Sequence, residues 1–284
     1  MLASNTVRCP EGPLHVVTAG ESGPQVLLLS GAGVDNAMLS WRHTIPALAA
    51  SRRVYALDWP KQGASRPWTG LADHAGLLRA IDAVVSHFEI ERMAVAGLSQ
   101  GGAMAIGTTL AHPEKIEALV AIAPAGIIDF PPGMHQLLYL AARLPGLTAW
   151  ATRTMLSSRE AVAAFARKSL FAGPVADFDA VVDEIMAELA QGGGASDWQN
   201  HSIGPFRMRV DLRPRLGEIT CPTLFVQGDR DVAVKAEHTR RAAALVPKAE
   251  FALFEDHGHW LNRQSPERFN TLLLDFLDHS QPVK

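Results

Sequence analysis

The sequence has 284 residues, a formal charge of −3, 48% hydrophobic residues and 19% charged ones. That length suits one large α/β domain, or such a core with an inserted cap, and the composition is that of a well-packed globule rather than a disordered chain. The charge balance argues against a nucleic-acid partner, and no uninterrupted apolar run is long enough for a membrane span. The first residues, Met1 to Thr6, lack a basic stretch followed by an apolar one, so a cytoplasmic location and no membrane partner are expected. Cys9 and Cys221 stand far apart in the sequence without a C-x-x-C or a histidine-spaced partner. Neither a disulfide framework nor a zinc site is expected from them.

In chain order, 14–18 and 25–30 read as strands punctuated by Gly12-Pro13 and Gly23-Pro24, an antiparallel opening followed by the first central strand. Val26 to Leu29 is apolar throughout, as a strand covered on both faces should be. A helix is expected over 41–50 and a strand over 53–57, which runs into Asp58-Trp59-Pro60-Lys61-Gln62-Gly63-Ala64-Ser65. Asp58 there is read as a hydrogen-bonding turn residue rather than a catalytic acid. Apolar residues at helical spacing over 71–88 predict a helix with one buried stripe, and 92–96 and 116–123 read as strands. This alternation of strand and helix predicts a parallel sheet wrapped by helices.

From 125 to 215 the rhythm changes to helical segments separated by Pro131-Pro132, Pro145-Gly146, Gly173-Pro174 and Gly192-Gly193-Gly194. Roughly ninety residues of helices between two strands is too long for a crossover, so an inserted cap or lid is expected at 125–215, on a core made of 1–124 and 216–284. Met134, Trp150 and Trp198, with Gly31, Gly33 and Trp260 from the core, are candidates for the pocket beneath it. The sheet resumes at 222–227, a helix follows over 236–245, and a last strand over 250–254 leads to Glu255-Asp256-His257-Gly258-His259-Trp260. The final helix is expected to begin with Ser265 as N-cap and Pro266 at its first position.

One stretch organises the rest: Val95-Ala96-Gly97-Leu98-Ser99-Gln100-Gly101-Gly102. A strand ends at Gly97, the chain turns on Ser99, and a helix begins. Glycines two residues on either side fit a turn too tight for side chains, which pushes the central residue into strained backbone angles. The amides that open the helix are unpaired donors at its positive end, ready for an oxyanion beside Ser99. This G-x-S-x-G nucleophile elbow, with strand before and helix after, resembles the α/β-hydrolase superfamily.

The resemblance implies an α/β-hydrolase fold, a mostly parallel central sheet flanked by helices with an inserted helical cap. It also implies the chain order Ser, Asp, His for a catalytic triad. Serine needs a base to take its proton, and the base needs a carboxylate to orient it. Asp231, in Gly228-Asp229-Arg230-Asp231, matches the family's acid; Asp229 and, more remotely, Asp129 are the alternatives. Gly258-His259 matches the family's Gly-His pair, with His257 as competitor, expected on the loop or bound to Asp256. One oxyanion amide comes from Gln100 and the other, from the loop Ser30-Gly31-Ala32-Gly33, from Ala32. Ser30 stands where the family commonly has histidine, a departure that leaves the backbone donor in place.

The function implied is serine hydrolysis of a carboxylic ester or lactone with apolar groups through an acyl-enzyme. The alternatives are C–C hydrolysis of a ring-fission diketone, thioesterase or perhydrolase activity, and a non-catalytic ligand receptor on the same fold. No cofactor and no metal are expected, because no His-x-x-x-His or His-Glu-x-x-His spacing occurs.

Overall fold

A computed structural model describes residues 1–194 and 196–280. Eight strands form one sheet in the order β1-β2-β4-β3-β5-β6-β7-β8. They are β1 (Ala3–Cys9), β2 (Gly12–Ala19), β3 (Gln25–Leu29), β4 (Arg53–Leu57), β5 (Met93–Leu98), β6 (Ile116–Ile122), β7 (Thr223–Gly228) and β8 (Glu250–Phe254). The pairs β1–β2 and β2–β4 are antiparallel and all later pairs are parallel. Strand β1, unforeseen from sequence, is an edge strand with mostly exposed or half-buried residues, so it carries no apolar run to announce it.

Between the strands lie α1 (Ala37–Trp41), α2 (Thr44–Ala49), α3 (His74–His87), α4 (Gln100–Ala111), α5 (Met134–Ala142), α6 (Pro145–Met155), α7 (Arg159–Phe165), α8 (Phe178–Ala190), α9 (Asp197–Ser202), α10 (Ala236–Leu245), α11 (Leu261–Gln264) and α12 (Pro266–His279). The helix expected over 41–50 is the shorter α2, and a separate helix, α1, ends where it was expected to begin. Pro46 sits in the first turn of α2, where a missing N–H costs nothing, whereas one continuous helix would need that N–H inside. Ser265 does begin α12 with Pro266 behind it, yet its side chain makes no capping bond, because the hydroxyl is bound to His257 instead.

Alternate residues of the central strands feed the two faces. Val26, Leu28, Ala94, Ala96, Leu98, Ala118, Val120 and Ile122 enter the core under α1, α2, α11 and α12. Leu27, Leu29, Met93, Val95, Leu119 and Ala121 enter the core under α3, α4 and α10. The period of two splits one strand between both cores, which is why these strands read as continuous apolar runs.

Helices α5 to α9 occupy the span between β6 and β7, and side-chain ion pairs fasten it to the rest. Asp177 meets Arg263 at 2.6 Å and His43 at 2.9 Å, Glu184 meets Arg42 at 2.6 Å, and Asp197 meets Lys61 at 2.6 Å. Glu188, 1% exposed, pairs with Arg66. Among the described residues no helix is long and apolar enough to cross a membrane.

Candidate active site

The strand ends decide what lies together. β5 and β6 are neighbours, as are β7 and β8, and all run parallel, so the loops that follow them open on one edge of the sheet. Open α/β sheets bind ligands along that edge. Ser99 follows β5, Asp231 follows β7 and His259 follows β8.

Ser99 has φ 57° and ψ −114°, a region that a side chain ordinarily avoids. The chain is held there by main-chain bonds: Ser99 N–H donates to Ile122 O at 2.9 Å, and its carbonyl accepts from Ala103 N at 3.0 Å and Ala125 N at 2.9 Å. The glycines make this possible. A Cβ on Gly97 would stand 2.1 Å from Gly101 O, and one on Gly101 would stand 2.1 Å from Leu29 O. The start of α4 is thereby pressed against the exit of β3, and Ser99 stays half-exposed while Gly97, Leu98 and Gln100 are buried.

Asp231 and His259 are both buried, and Nδ1 of His259 lies 2.7 Å from Asp231 Oδ2. A carboxylate oxygen accepts, so Nδ1 carries the proton and Nε2 is left as the ring's lone-pair nitrogen in its neutral form. Asp231 also accepts from Ala233 N at 2.7 Å, Val234 N at 2.9 Å and Gln227 Nε2 at 2.9 Å. Burial pushes its pKa up, but His259 and these donors outweigh it and hold the carboxyl below its usual range. The Asp and His loops meet because Gly228 has no side chain: a Cβ there would stand 2.4 Å from His257 O.

Ser99 Oγ makes no hydrogen bond to His259 or to any other described residue. Catalytic contacts of this kind are often loose without substrate and tighten around it. The amides of Ala32 and Gln100 likewise have no acceptor among the described residues.

The competing residues are placed otherwise. Asp229 accepts from His257 N at 3.3 Å, and Asp129 is tied at 2.9 Å to Arg213. His257 binds Ser265 Oγ and Glu255 O, each at 2.6 Å, rather than Asp256, because the loop turns its ring toward the start of α12. Asp58 accepts from Ala37 N, Ala64 N and His15 Nδ1, the turn role read from sequence.

Of the pocket candidates, Gly31 and Gly33 are buried in the loop after β3, and Gly33 O accepts from Gly194 N at 3.1 Å. Trp260 is buried and edge-on to Phe171, ring centres 6.0 Å apart, while its main-chain N–H donates to Leu170 O. Trp198 is buried and donates to His74 Nδ1 of α3 at 3.1 Å. Met134 and Trp150 are 51% and 63% exposed. Above the elbow, Ser196 Oγ donates to Gln100 Oε1 at 2.6 Å.

Sequence reasoning missed three residues. Gln227 braces Asp231, and Glu188 reaches from α8 to Gly63 N and Asn36 Nδ2. Asp35, fully buried, folds the loop around Ala32. None sits in a motif, and only Asp35, a charge inside an otherwise apolar and glycine-rich stretch, carried a signal. No group of three or more His, Cys, Asp or Glu among the described residues could hold a metal.

Fold and site together define a hydrolase of the α/β class. A family model described as the α/β hydrolase fold matches residues 24–266, so the chain belongs to that family. Among curated relatives it is 31% identical over 264 residues to the dihydrolipoyllysine-residue acetyltransferase component of an acetoin cleaving system of Pseudomonas putida; the match covers 91% of this chain and 64% of that protein, so this chain spans less than two-thirds of its length. It is 29% identical over 302 residues to a 2-hydroxy-6-oxononadienedioate/2-hydroxy-6-oxononatrienedioate hydrolase of Paraburkholderia xenovorans, covering 97% of this chain and 96% of that one. Its fold is that of the enol-lactonase from Burkholderia xenovorans LB400, with TM-score 0.76, 21% identity, and 96% and 100% of the two chains covered.

Proposed function

We propose that this chain is a serine hydrolase that cleaves a carboxylic ester or lactone with apolar groups, through an acyl-enzyme on Ser99. The observation that carries the reading is the buried His259–Asp231 pair, 2.7 Å apart, at the same sheet edge as a serine strained to φ 57°. Nε2 of His259 takes the Ser99 proton as Oγ attacks the carbonyl carbon. The amides of Ala32 and Gln100 receive the oxyanion. As the tetrahedral species collapses, the C–O bond breaks and the imidazolium gives its proton to the leaving alkoxide. Water then attacks the acyl carbon, its proton passes to Nε2, and Ser99 departs with that proton as the acid is released. No cofactor or metal enters.

Residues 125–215 act as the cap over a core of 1–124 and 216–284. The bonds from Gly194 to Gly33 and from Ser196 to Gln100 support this, since one ends on the loop and the other on the helix start that supply the oxyanion donors. The cap, with Trp260 beneath it, supplies an apolar pocket for a small-molecule substrate.

C–C hydrolysis of a ring-fission diketone is the second reading, favoured by the relative matched over 96% of its length and named for a 2-hydroxy-6-oxononadienedioate, the enol form of a diketone. The same groups would serve, the imidazolium proton going to carbon instead of oxygen.

A fluorophosphonate should label the wild type and leave Ser99→Ala untouched. p-Nitrophenyl esters of graded chain length, lactones and a ring-fission diketone then separate the readings by kcat/KM. A wild type that is neither labelled nor active on any of them would point to a ligand receptor.

A further inference from the structure

The loop after β3 is held by more than its own turn. Trp59 Nε1 donates to Ser30 O at 2.8 Å, and Gln62 Nε2 donates to Gly31 O at 3.3 Å and to Asp35 O at 2.9 Å. Gly31 N–H donates to Asp35 Oδ2 at 2.6 Å; that carboxylate also accepts from Ser40 Oγ at 2.6 Å and from Asn36 N at 2.8 Å. Gly31 O and Ala32 N belong to one planar trans peptide, so a carbonyl fixed on Gln62 sends the Ala32 N–H the opposite way. With Gly31 N–H also committed, Ala32 carries the next amide left open in this loop. The loop borders the nucleophile: a Cβ on Gly31 would stand 2.8 Å from Asp35 Oδ2 and 3.7 Å from Ser99 Cβ.

We propose that Asp35 is a positioning residue of the oxyanion hole, whose carboxylate takes the Gly31 amide and so turns the Ala32 amide toward the carbonyl oxygen of a substrate on Ser99. This rests on the serine-hydrolase reading above. The carboxylate is an expensive choice for a turn. It is wholly buried and its direct partners are neutral donors; burial above all, with a smaller push from Glu188, raises its pKa to about 7 despite the bonds from Ser40, Gly31 and Asn36. The charged groups on elements around the loop have other partners. Glu188 of α8 pairs with Arg66, Asp58 after β4 binds His15 and the Ala37 amide, and Arg263 of α11 donates to Leu39 O and Asp177. A charge kept at such cost beside a reacting centre is the pattern of a functional group. Protonation removes an acceptor from the loop, so the hole is fully formed only when Asp35 is ionised.

The test is Asp35→Asn, assayed on p-nitrophenyl butyrate from pH 5 to 9. A mis-aimed oxyanion donor should lower kcat by about 10- to 100-fold with KM changed less than about threefold. In the wild type both His259 and Asp35 must be unprotonated, so log kcat/KM climbs with a slope above one on the acid side; in the variant the slope falls to one. Stability reports independently whether the Asp35 carboxyl ionises inside the fold, while the kcat and slope readouts separate positioning from a merely structural anchor. With a folded pKa of about 7 against an ordinary unfolded one near ~4, the wild type loses stability as pH rises from about 4 to about 7. The Tm of Asp35→Asn relative to wild type should therefore be higher at pH 8 than at pH 5. Ser40→Ala leaves the loop bonds in place and removes one donor to the carboxylate; its second inflection should move to higher pH, with full kcat recovered at pH 9. Unchanged kcat and slope in Asp35→Asn, or an unmoved inflection in Ser40→Ala should the first variant not fold, overturns the proposal. A wild type that takes no fluorophosphonate label on Ser99 instead removes the hydrolase reading and the proposal with it.

Discussion

The carboxyl edge of the sheet and the helices between β6 and β7 are fastened by different means. At the sheet edge main chain holds main chain: Ser99 is bonded through N–H and C=O to Ile122, Ala103 and Ala125, and glycines 97, 101 and 228 let backbones approach where a Cβ would collide. The helices are tied down mainly by side chains, through Glu188, Asp177, Glu184, Asp197 and Ser196, with a few main-chain bonds such as Gly194 N to Gly33 O and Trp260 N to Leu170 O. Backbone fastening sets reacting groups to within fractions of an ångström, which acyl chemistry needs. Side-chain tethers are separable and locally adjustable, which suits the cap proposed for this segment.

Four substitutions probe that contrast, from the largest effect to the smallest. Asp231→Asn should leave the fold in place and lower kcat by about 10³- to 10⁴-fold, because the ring loses its orienting carboxylate; steady-state kinetics on a p-nitrophenyl ester checks it, and near-normal turnover would move the acid to Asp229 or Asp129. Gly101→Ala should cost about 3 kcal/mol in urea unfolding, since its methyl meets the Leu29 carbonyl at 2.1 Å and main chain cannot step aside. Glu188→Ala should cost about 2 kcal/mol, below the figure for a wholly buried pair because the Arg66 side chain, 19% exposed, can reach water. A loss larger than that of Gly101→Ala would invert the comparison. Trp150→Ala, at a side chain 63% exposed, should change stability by less than about 0.5 kcal/mol and KM by less than about twofold; a larger KM change would put Trp150 in the pocket.

The fold and the elbow were legible because they rest on local grammar. Val26 to Leu29 is apolar at every position since both faces are covered, and Gly97, Ser99 and Gly101 must stand at fixed spacing for one turn. Edge strand β1 was missed for the converse reason, half-exposed residues carrying no period. The break between α1 and α2 was missed because one helix over 41–50 would hold Pro46 in its interior, whereas the proline stands in the first turn of α2. Gln227 and Glu188 were invisible as site residues, and Asp35 showed only as a charge in an apolar, glycine-rich stretch: Glu188 meets Arg66 across 122 positions, and nothing near either announces the other.

By itself the sequence determined the strand–helix alternation and the strained serine turn; the choice of Asp231 and His259 came from its resemblance to the α/β-hydrolases. Local sterics and hydrophobic period are written residue by residue, so a single chain suffices to read them. Tertiary structure alone decided which buried polar atoms share a partner: that Asp35 holds Gly31, that Gln227 braces Asp231, and that Glu188 anchors α8 to the turn after β4. Glu188 and Arg66 are 122 positions apart, and even the pairs four residues apart are chosen by the surrounding fold, because burial removes the water that would otherwise satisfy each group.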